Sequence, residues 1–194
     1  NVSQVHRIPT FTDLYYTSSS EVGNKDLKPE SALSAELGYR YMRPNVVAKL
    51  SGFLRDSQKA IDWVKMPPST IWSAQNVGNI YTKGIEAEFE YRPMDWLKYS
   101  AGYTYLDSNY ATGAGLTSKY AADYLKHQFT AKWETRFLRN FTNELVYRYN
   151  ERVGNGSYIL LDGKLNYRAN SLDIYVLVNN ITNTKYTEAF GVPM

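Results

Sequence analysis

The residues best able to do chemistry are few and scattered. Glu86, Glu88 and Glu90 stand two apart. In an extended strand they share one face at steps of about 7 Å. That spacing would suit a cation site, yet it equally describes a polar face neutralised by cross-strand partners such as Lys98, and this second reading is favoured. His6 and His127 are the only histidines. Neither has an evident orienting partner, so no credible Ser-His-Asp set is present and hydrolytic chemistry is not expected. Gly113 and Gly115, in ATGAGL, lack the strand-turn-helix setting of a phosphate loop and read as loop glycines. There are no cysteines, which removes disulfides, thiolate metal sites and thiol nucleophiles. The chain is not expected to be an enzyme, and no cofactor or metal is called for.

Binding is better supported than catalysis. Tyr15, Tyr16, Trp63, Trp72, Tyr110, Tyr120 and Tyr124 lie in or beside the longer irregular stretches. Aromatic rings in loops either pack the loops together or grip a bulky rigid ligand at low entropic cost, and both readings stay open here. Tyr15, Tyr16, Trp72, Tyr110 and Tyr120 are the candidate ligand contacts.

The elements that would position these loops show one dominant pattern. KHQFTAKWETRF (126–137) alternates Phe129, Ala131, Trp133, Thr135 and Phe137 with Gln128, Thr130, Lys132, Glu134 and Arg136. This is strand periodicity, and it recurs. Eight strands are expected, at 31–42, 46–56, 80–91, 97–106, 126–137, 141–150, 157–168 and 171–180. Short breaks near 43–45, 93–95, 138–140 and 169–170 alternate with longer ones at 65–75, 107–124 and 151–156. Short turns at one end and long loops at the other are the mark of a transmembrane barrel. Parity agrees. A three-residue turn at 93–95 would set Tyr91 opposite Leu97, and a two-residue turn at Ala169-Asn170 would set Tyr167 opposite Leu172. Apolar rows meet across both turns.

Composition is consistent with this. The 194 residues carry 18 tyrosines and a net charge of +3, with a pI near 8.9 and a mean hydropathy of −0.48. The charge is too small and too dispersed to argue for nucleic acid. No apolar run is long enough for a membrane-spanning helix, but barrel strands are short and half polar and escape that test. Tyr41, Tyr91, Phe137, Phe141 and Tyr167 gather beside the short turns, as an aromatic girdle at a membrane interface requires. The expected fold is therefore all-β: an antiparallel transmembrane β-barrel segment, with one row on acyl chains and the other facing a polar interior.

Four ordered motifs carry a family resemblance. RIPTFTDLYY…GNKDLKPE (7–30) holds Asn24, Leu27, Pro29 and Glu30; NVGNIYTKGIEAEFEY (76–91) holds Asn79, Gly84 and Glu86. DYLKHQFTAKWE (123–134) has Leu125 where a proline is common, and VNNITNTKYTE (178–188) holds Val178, Asn180, Ile181 and Tyr186. Together they resemble the C-terminal barrel part of TonB-dependent outer-membrane receptors. SEVGNKDLKPE, AIDWV and SKYAADYLKHQ look most like the cobalamin-receptor type of Bacteroidetes.

The resemblance implies a multi-pass protein of a Gram-negative outer membrane, embedded in its lipid. It implies TonB-energised uptake of cobalamin or an iron chelate such as a siderophore or haem. It also implies a TonB energy-coupling complex acting through a plug domain, and a surface lipoprotein as a further candidate partner. The chain is expected to be a piece of a longer protein. It would be about eight strands of a 22-stranded barrel, with plug, early strands and last strand absent, 1–30 and 181–194 as extracellular loops and 31–180 as the strands. The alternative is a small eight-stranded outer-membrane barrel with a structural or adhesion role; a soluble antiparallel sandwich is a third.

Overall fold

The computed structural model describes residues 1–110, 115–119, 124–154, 156–189 and 192–193. In chain order its elements are β1 (Val2–Arg7), α1 (Phe11–Tyr15), β2 (Glu21–Val22), β3 (Glu30–Arg43), β4 (Val46–Gln58), β5 (Ile61–Lys65), β6 (Trp72–Asn76) and β7 (Ile80–Met94). There follow β8 (Leu97–Tyr110), β9 (Thr117–Ser118), β10 (Leu125–Phe137), β11 (Phe141–Arg152), β12 (Gly156–Ala169), β13 (Leu172–Val178), β14 (Thr187–Ala189) and β15 (Val192–Pro193). Among the described residues no helix is long and apolar enough to cross a membrane, which leaves crossing by strands untouched.

All eight expected strands form, and they lie in one sheet in the order β1-β3-β4-β7-β8-β10-β11-β12-β13. The ninth member corrects the expectation that 1–30 is loop. Val2–Arg7 pairs antiparallel with β3, from Val2 opposite Ala35 to Arg7 opposite Glu30. VSQVHR is too short and too weakly alternating to stand out by periodicity, and its partner selects it. A second correction concerns the last hairpin. Ala169 pairs with Leu172 and Tyr167 with Ile174, so the turn is Asn170-Ser171, one residue later than expected. Asn170 takes φ of 46°, the left-handed conformation that tight hairpin turns need and Asn tolerates. The slip is two residues in register, so parity survives.

Contacts divide the chain into two units: Asn1–Leu37, Gly52–Gly84 and Leu106–Tyr124 form one, and Gly38–Ser51, Ile85–Tyr105 and Leu125–Met194 the other. In the second unit the two rows are plain. Trp133 lies opposite Tyr99 on one side and Leu145 on the other, and Leu145 lies opposite Gly163. These residues are exposed rather than cored: Trp133 is 48% and Leu165 is 44% accessible. A water-soluble sandwich would bury them against a second sheet. Instead Tyr99 packs on Trp133 with ring centroids 5.8 Å apart, and the girdle residues Phe137, Phe141 and Tyr167 stack in sequence at 5.6 and 4.8 Å. Gly163 leaves room on this face for Ile181, whose Cδ1 would sit 3.2 Å from any added Cβ.

The alternate row is a ladder of charges. Lys98 Nζ meets Glu90 at 2.9 Å and Glu134 at 3.8 Å; Lys132 meets Glu134 at 3.5 Å and Glu144 at 2.9 Å. Lys49 holds Glu88 at 2.6 Å. The expected neutralisation of the Glu86/Glu88/Glu90 row thus occurs at Glu88 and Glu90. Each exposed pair adds little singly, but side by side they fix which row is polar.

A cation on the apolar row should therefore be costly and one on the polar row tolerated. Leu145→Arg is expected to lower stability by about 2–4 kcal/mol, and Thr130→Arg by less than about 1 kcal/mol. Urea unfolding of the full-length protein in lipid vesicles measures both.

Candidate functional site

The loops of the first unit fold on themselves around a small core of their own. TFTD (10–13) is a helix start: the Thr10 side chain accepts from the Asp13 N–H at 3.1 Å, and the Asp13 carboxylate accepts from the Thr10 N–H at 3.0 Å. This closes α1 at its N-terminus. Asp13 also accepts from the Thr10 hydroxyl at 2.8 Å, from Arg7 at 3.1 Å and from the Trp63 indole N–H at 3.2 Å. At 5% exposure it is a buried hub joining the N-terminal segment to β5. Burial alone would raise its pKa. The two Thr10 bonds, the Trp63 bond and the Arg7 charge outweigh that and hold the carboxyl below its ordinary value.

A second carboxylate works alongside. Glu30 accepts from the Ile61 N–H at 3.2 Å and faces Arg7 at 3.6 Å and Arg55 at 3.7 Å. β5 is the centre of a four-stranded sheet ordered β2-β6-β5-β9, with Ile61 opposite Asn76 and Val64 opposite both Ser73 and Ser118. The AIDWV stretch is buried there. Leu27, Ile61, Trp63 and Ala74 form one apolar cluster, against which Leu14 and Trp72 pack. Ala60, Val64 and Val77 form another, with Ile80, Tyr110 and Leu116 around it. Asn76 clamps the rim, donating to the carbonyls of Lys28 at 2.9 Å and Lys59 at 2.7 Å and accepting from the Lys28 N–H. Gly23 has no alternative, since a Cβ would lie 2.9 Å from the Asp13 carbonyl oxygen.

The candidate aromatics separate within this unit. Tyr15 and Tyr16 are 50% and 44% exposed, and Tyr15 stacks on the exposed Phe11 at 4.9 Å with the Lys25 ammonium 5.6 Å from its ring. Trp72 is half-buried, and the ammonium groups of Lys65 and Lys119 approach its ring to 4.7 and 5.9 Å. Tyr110 turns its ring into the Ala60–Val64–Val77 cluster, with its hydroxyl buried. Tyr120 lies outside the described residues. Trp63 is core, and the Tyr124 hydroxyl accepts from the Ser108 N–H at 3.0 Å, so both pack loops. Asp13 and Arg7 were not singled out from the sequence, and Glu30 only as a motif residue of the family resemblance. The Thr10-x-x-Asp13 box was the available signal for Asp13, whereas the contacts of Glu30 with Arg55 and Ile61 come from far along the chain.

Neither histidine sits in a metal-like setting. His6 lies on β1 opposite Ser31. His127 lies on the apolar row opposite Tyr105 and Glu151, and its Nδ1 shares a hydrogen bond with the Tyr103 hydroxyl at 2.8 Å, as an interfacial aromatic would. Among the described residues no group of three or more His, Cys, Asp or Glu could hold a metal ion.

The family marks now have structural reasons. Leu27 is core and Glu30 bridges β1, β4 and β5, while Asn180, at φ 50°, donates its N–H to Asp162 and its side-chain amide to the Thr184 carbonyl. Tyr186 stacks on Tyr158 at 4.7 Å.

A scan against family models matches residues 1–181 to the TonB dependent receptor-like β-barrel. The chain belongs to this family. It is 39% identical over 82 residues to the vitamin B12 transporter BtuB of Vibrio vulnificus, covering 42% of this chain and 13% of that protein. It is 28% identical over 148 residues to the iron-regulated outer membrane virulence protein of Vibrio cholerae, covering 69% of this chain and 22% of that protein. Among solved structures, the copper transporter OprC superposes with a TM-score of 0.77 at 16% identity, over 97% of this chain and 31% of that one. The last likeness establishes the fold alone. The chain spans less than a third of the length of each of these proteins.

The loop core gives a pH prediction. Because the Asp13 pKa is lowered on folding, its stabilisation is complete above the ordinary aspartate value of 3.8 and is lost as pH falls through the lower folded value. In the full-length protein, Asp13→Asn should therefore speed hydrogen exchange at 10–16 and 61–64 at pH 7, reflecting a loss of about 2–3 kcal/mol. The difference from the parent should shrink as the pH falls from 3.8 through the lower folded value.

Proposed function

We propose that the complete protein is an outer-membrane active-transport receptor. It takes up a large scarce nutrient, cobalamin or an iron chelate such as a siderophore or haem, energised through a TonB complex acting on a plug domain. This activity involves no enzymatic step, and the location is the outer membrane of a Gram-negative bacterium. The observation that carries the reading is the pairing of a family barrel wall with loops that build a packed module of their own. Such a module holds aromatic faces still, which lowers the entropic cost of gripping a rigid ligand.

In this reading the present residues are the C-terminal part of the barrel, the short turns face the periplasm and the long loops face outward. Cobalamin is the preferred substrate, supported by the 39% identity to the B12 transporter over 82 residues. An iron chelate is the second reading, supported by the iron-regulated relative, which matches over a longer stretch of this chain. Tyr15, Tyr16 and Trp72 are the proposed ligand contacts, because their rings retain exposed faces. Tyr110 and Tyr120 complete the candidate set, Tyr110 acting through the stability of the module. A surface lipoprotein capping the loops is a further proposed partner.

A deletion strain should fail to grow on limiting cobalamin, or failing that on limiting chelated iron, and normal growth on both would refute transport of either. In the complemented strain, Tyr15→Ala combined with Tyr16→Ala should raise the substrate concentration needed for half-maximal uptake about tenfold. Tyr→Phe replacements should leave it nearly unchanged, since ring area rather than the hydroxyl is used.

A further inference from the structure

The apolar row carries a hollow with a floor of small residues. Ala101 and Ala131 lie directly opposite each other on β8 and β10 and set that floor. Phe89, Tyr99, Trp133, Leu145 and Tyr147 stand around them, enclosing about 320 Å³. The walls are braced: Tyr99 packs on Trp133 at 5.8 Å, and Phe129 meets the Tyr147 ring edge-on at 6.2 Å. A second hollow, beside Gly163, is entered by Ile181 of the same chain, whose Cδ1 stands 3.2 Å from the position of an added Cβ.

The depth of the first hollow selects what can enter it. Along β10, Ala131 is six residues from the girdle residue Phe137 and four from His127 at the other end of the row. A strand tilted by about 45° rises about 2.3 Å per residue, so the hollow lies about 14 Å from the short-turn interface and about 9 Å from the opposite one. Half of a hydrocarbon core of about 30 Å is about 15 Å. An acyl chain rooted beside the short turns therefore ends at the hollow, whereas one from the other leaflet would run past it. A void lined by fixed rings forfeits dispersion contacts, and a thin, flexible chain end restores them without moving the walls. The Trp133 ring, 48% accessible, stands above the floor and holds a flat protein surface away.

We propose that this hollow holds the terminal segment of a phospholipid acyl chain from the leaflet beside the short turns, and holds it longer than the rest of the apolar row does. The proposal rests on that row facing hydrocarbon and on no transport substrate. The full-length protein in phosphatidylcholine vesicles tests it by photo-cross-linking and mass spectrometry. One probe is a phosphatidylcholine with a diazirine at the end of an acyl chain, and a second carries the diazirine at mid-chain. End-label adducts at 99–101 and 131–133 should exceed those at Leu161 at least fivefold. Leu161 is the reference because it lies as many residues from Tyr167 as Ala131 does from Phe137. The mid-chain label should show no such excess.

Ala101→Leu combined with Ala131→Leu should fill the hollow and lower its adducts at least fivefold, leaving those at Leu161 unchanged. Heat-modifiable gel migration reports folding of the variant. Equal labelling of the hollow and Leu161, an excess with the mid-chain label as large as with the end label, or an unchanged yield in the folded leucine variant would overturn the proposal. Labelling of neither position would remove the hydrocarbon-facing row itself, and the proposal with it.

Discussion

The nine-stranded sheet depends on backbone hydrogen bonding, as the wall of a transmembrane barrel must. Within hydrocarbon each unpaired N–H or C=O costs several kcal/mol, so strands can cross only when every ladder position is taken. Pairing in turn fixes the side chains, because successive residues must point to opposite faces. The strands inside the sheet meet both demands with one register. Trp133, Tyr99 and Leu145 align across three strands, and the same pairing brings Glu134, Lys98 and Glu144 together on the other face. A slip of one residue would put the charge ladder into lipid and the rings into the polar interior.

The turns are subordinate to that register. The three residues between Phe137 and Phe141 keep odd positions opposite odd positions, whereas the two at Asn170-Ser171 set odd opposite even. The following strand compensates, with Ile174, Val176 and Val178 carrying the apolar row on even positions. The loops of the other unit obey ordinary aqueous rules instead. They bury Leu27, Ile61, Trp63 and Ala74; the buried Asp13 carboxylate accepts from several donors, and Glu30 accepts from the Ile61 N–H and is flanked by Arg7 and Arg55. Two solvation regimes thus coexist in one short sequence, and each segment reads according to the solvent it meets.

That division explains what could be read directly. The eight alternating strands and the girdle at Phe137, Phe141 and Tyr167 were legible because a strand with two unlike faces keeps a strict period of two, and the family was legible through its four ordered motifs. The loop sheet was not. IDWVK and WSAQN are five residues each and pair with each other, and the sheet is completed only by two-residue strands from elsewhere in the chain. Loop aromatics such as Tyr110 are ambiguous until their neighbours are known, and its neighbours Ala60, Val64 and Val77 come from two stretches distant from it in sequence. Signals with a fixed local period survive in sequence, and signals made by long-range pairing do not.

Which face touches hydrocarbon can be measured without reference to ligand. Single nitroxide labels placed at each position from 128 to 136 of the full-length protein in lipid vesicles report collisions with dissolved oxygen and with a water-soluble nickel chelate. The account predicts oxygen accessibility peaking at 129, 131, 133 and 135, out of phase with the chelate. Peaks at the even positions, or no alternation along the strand, would contradict it.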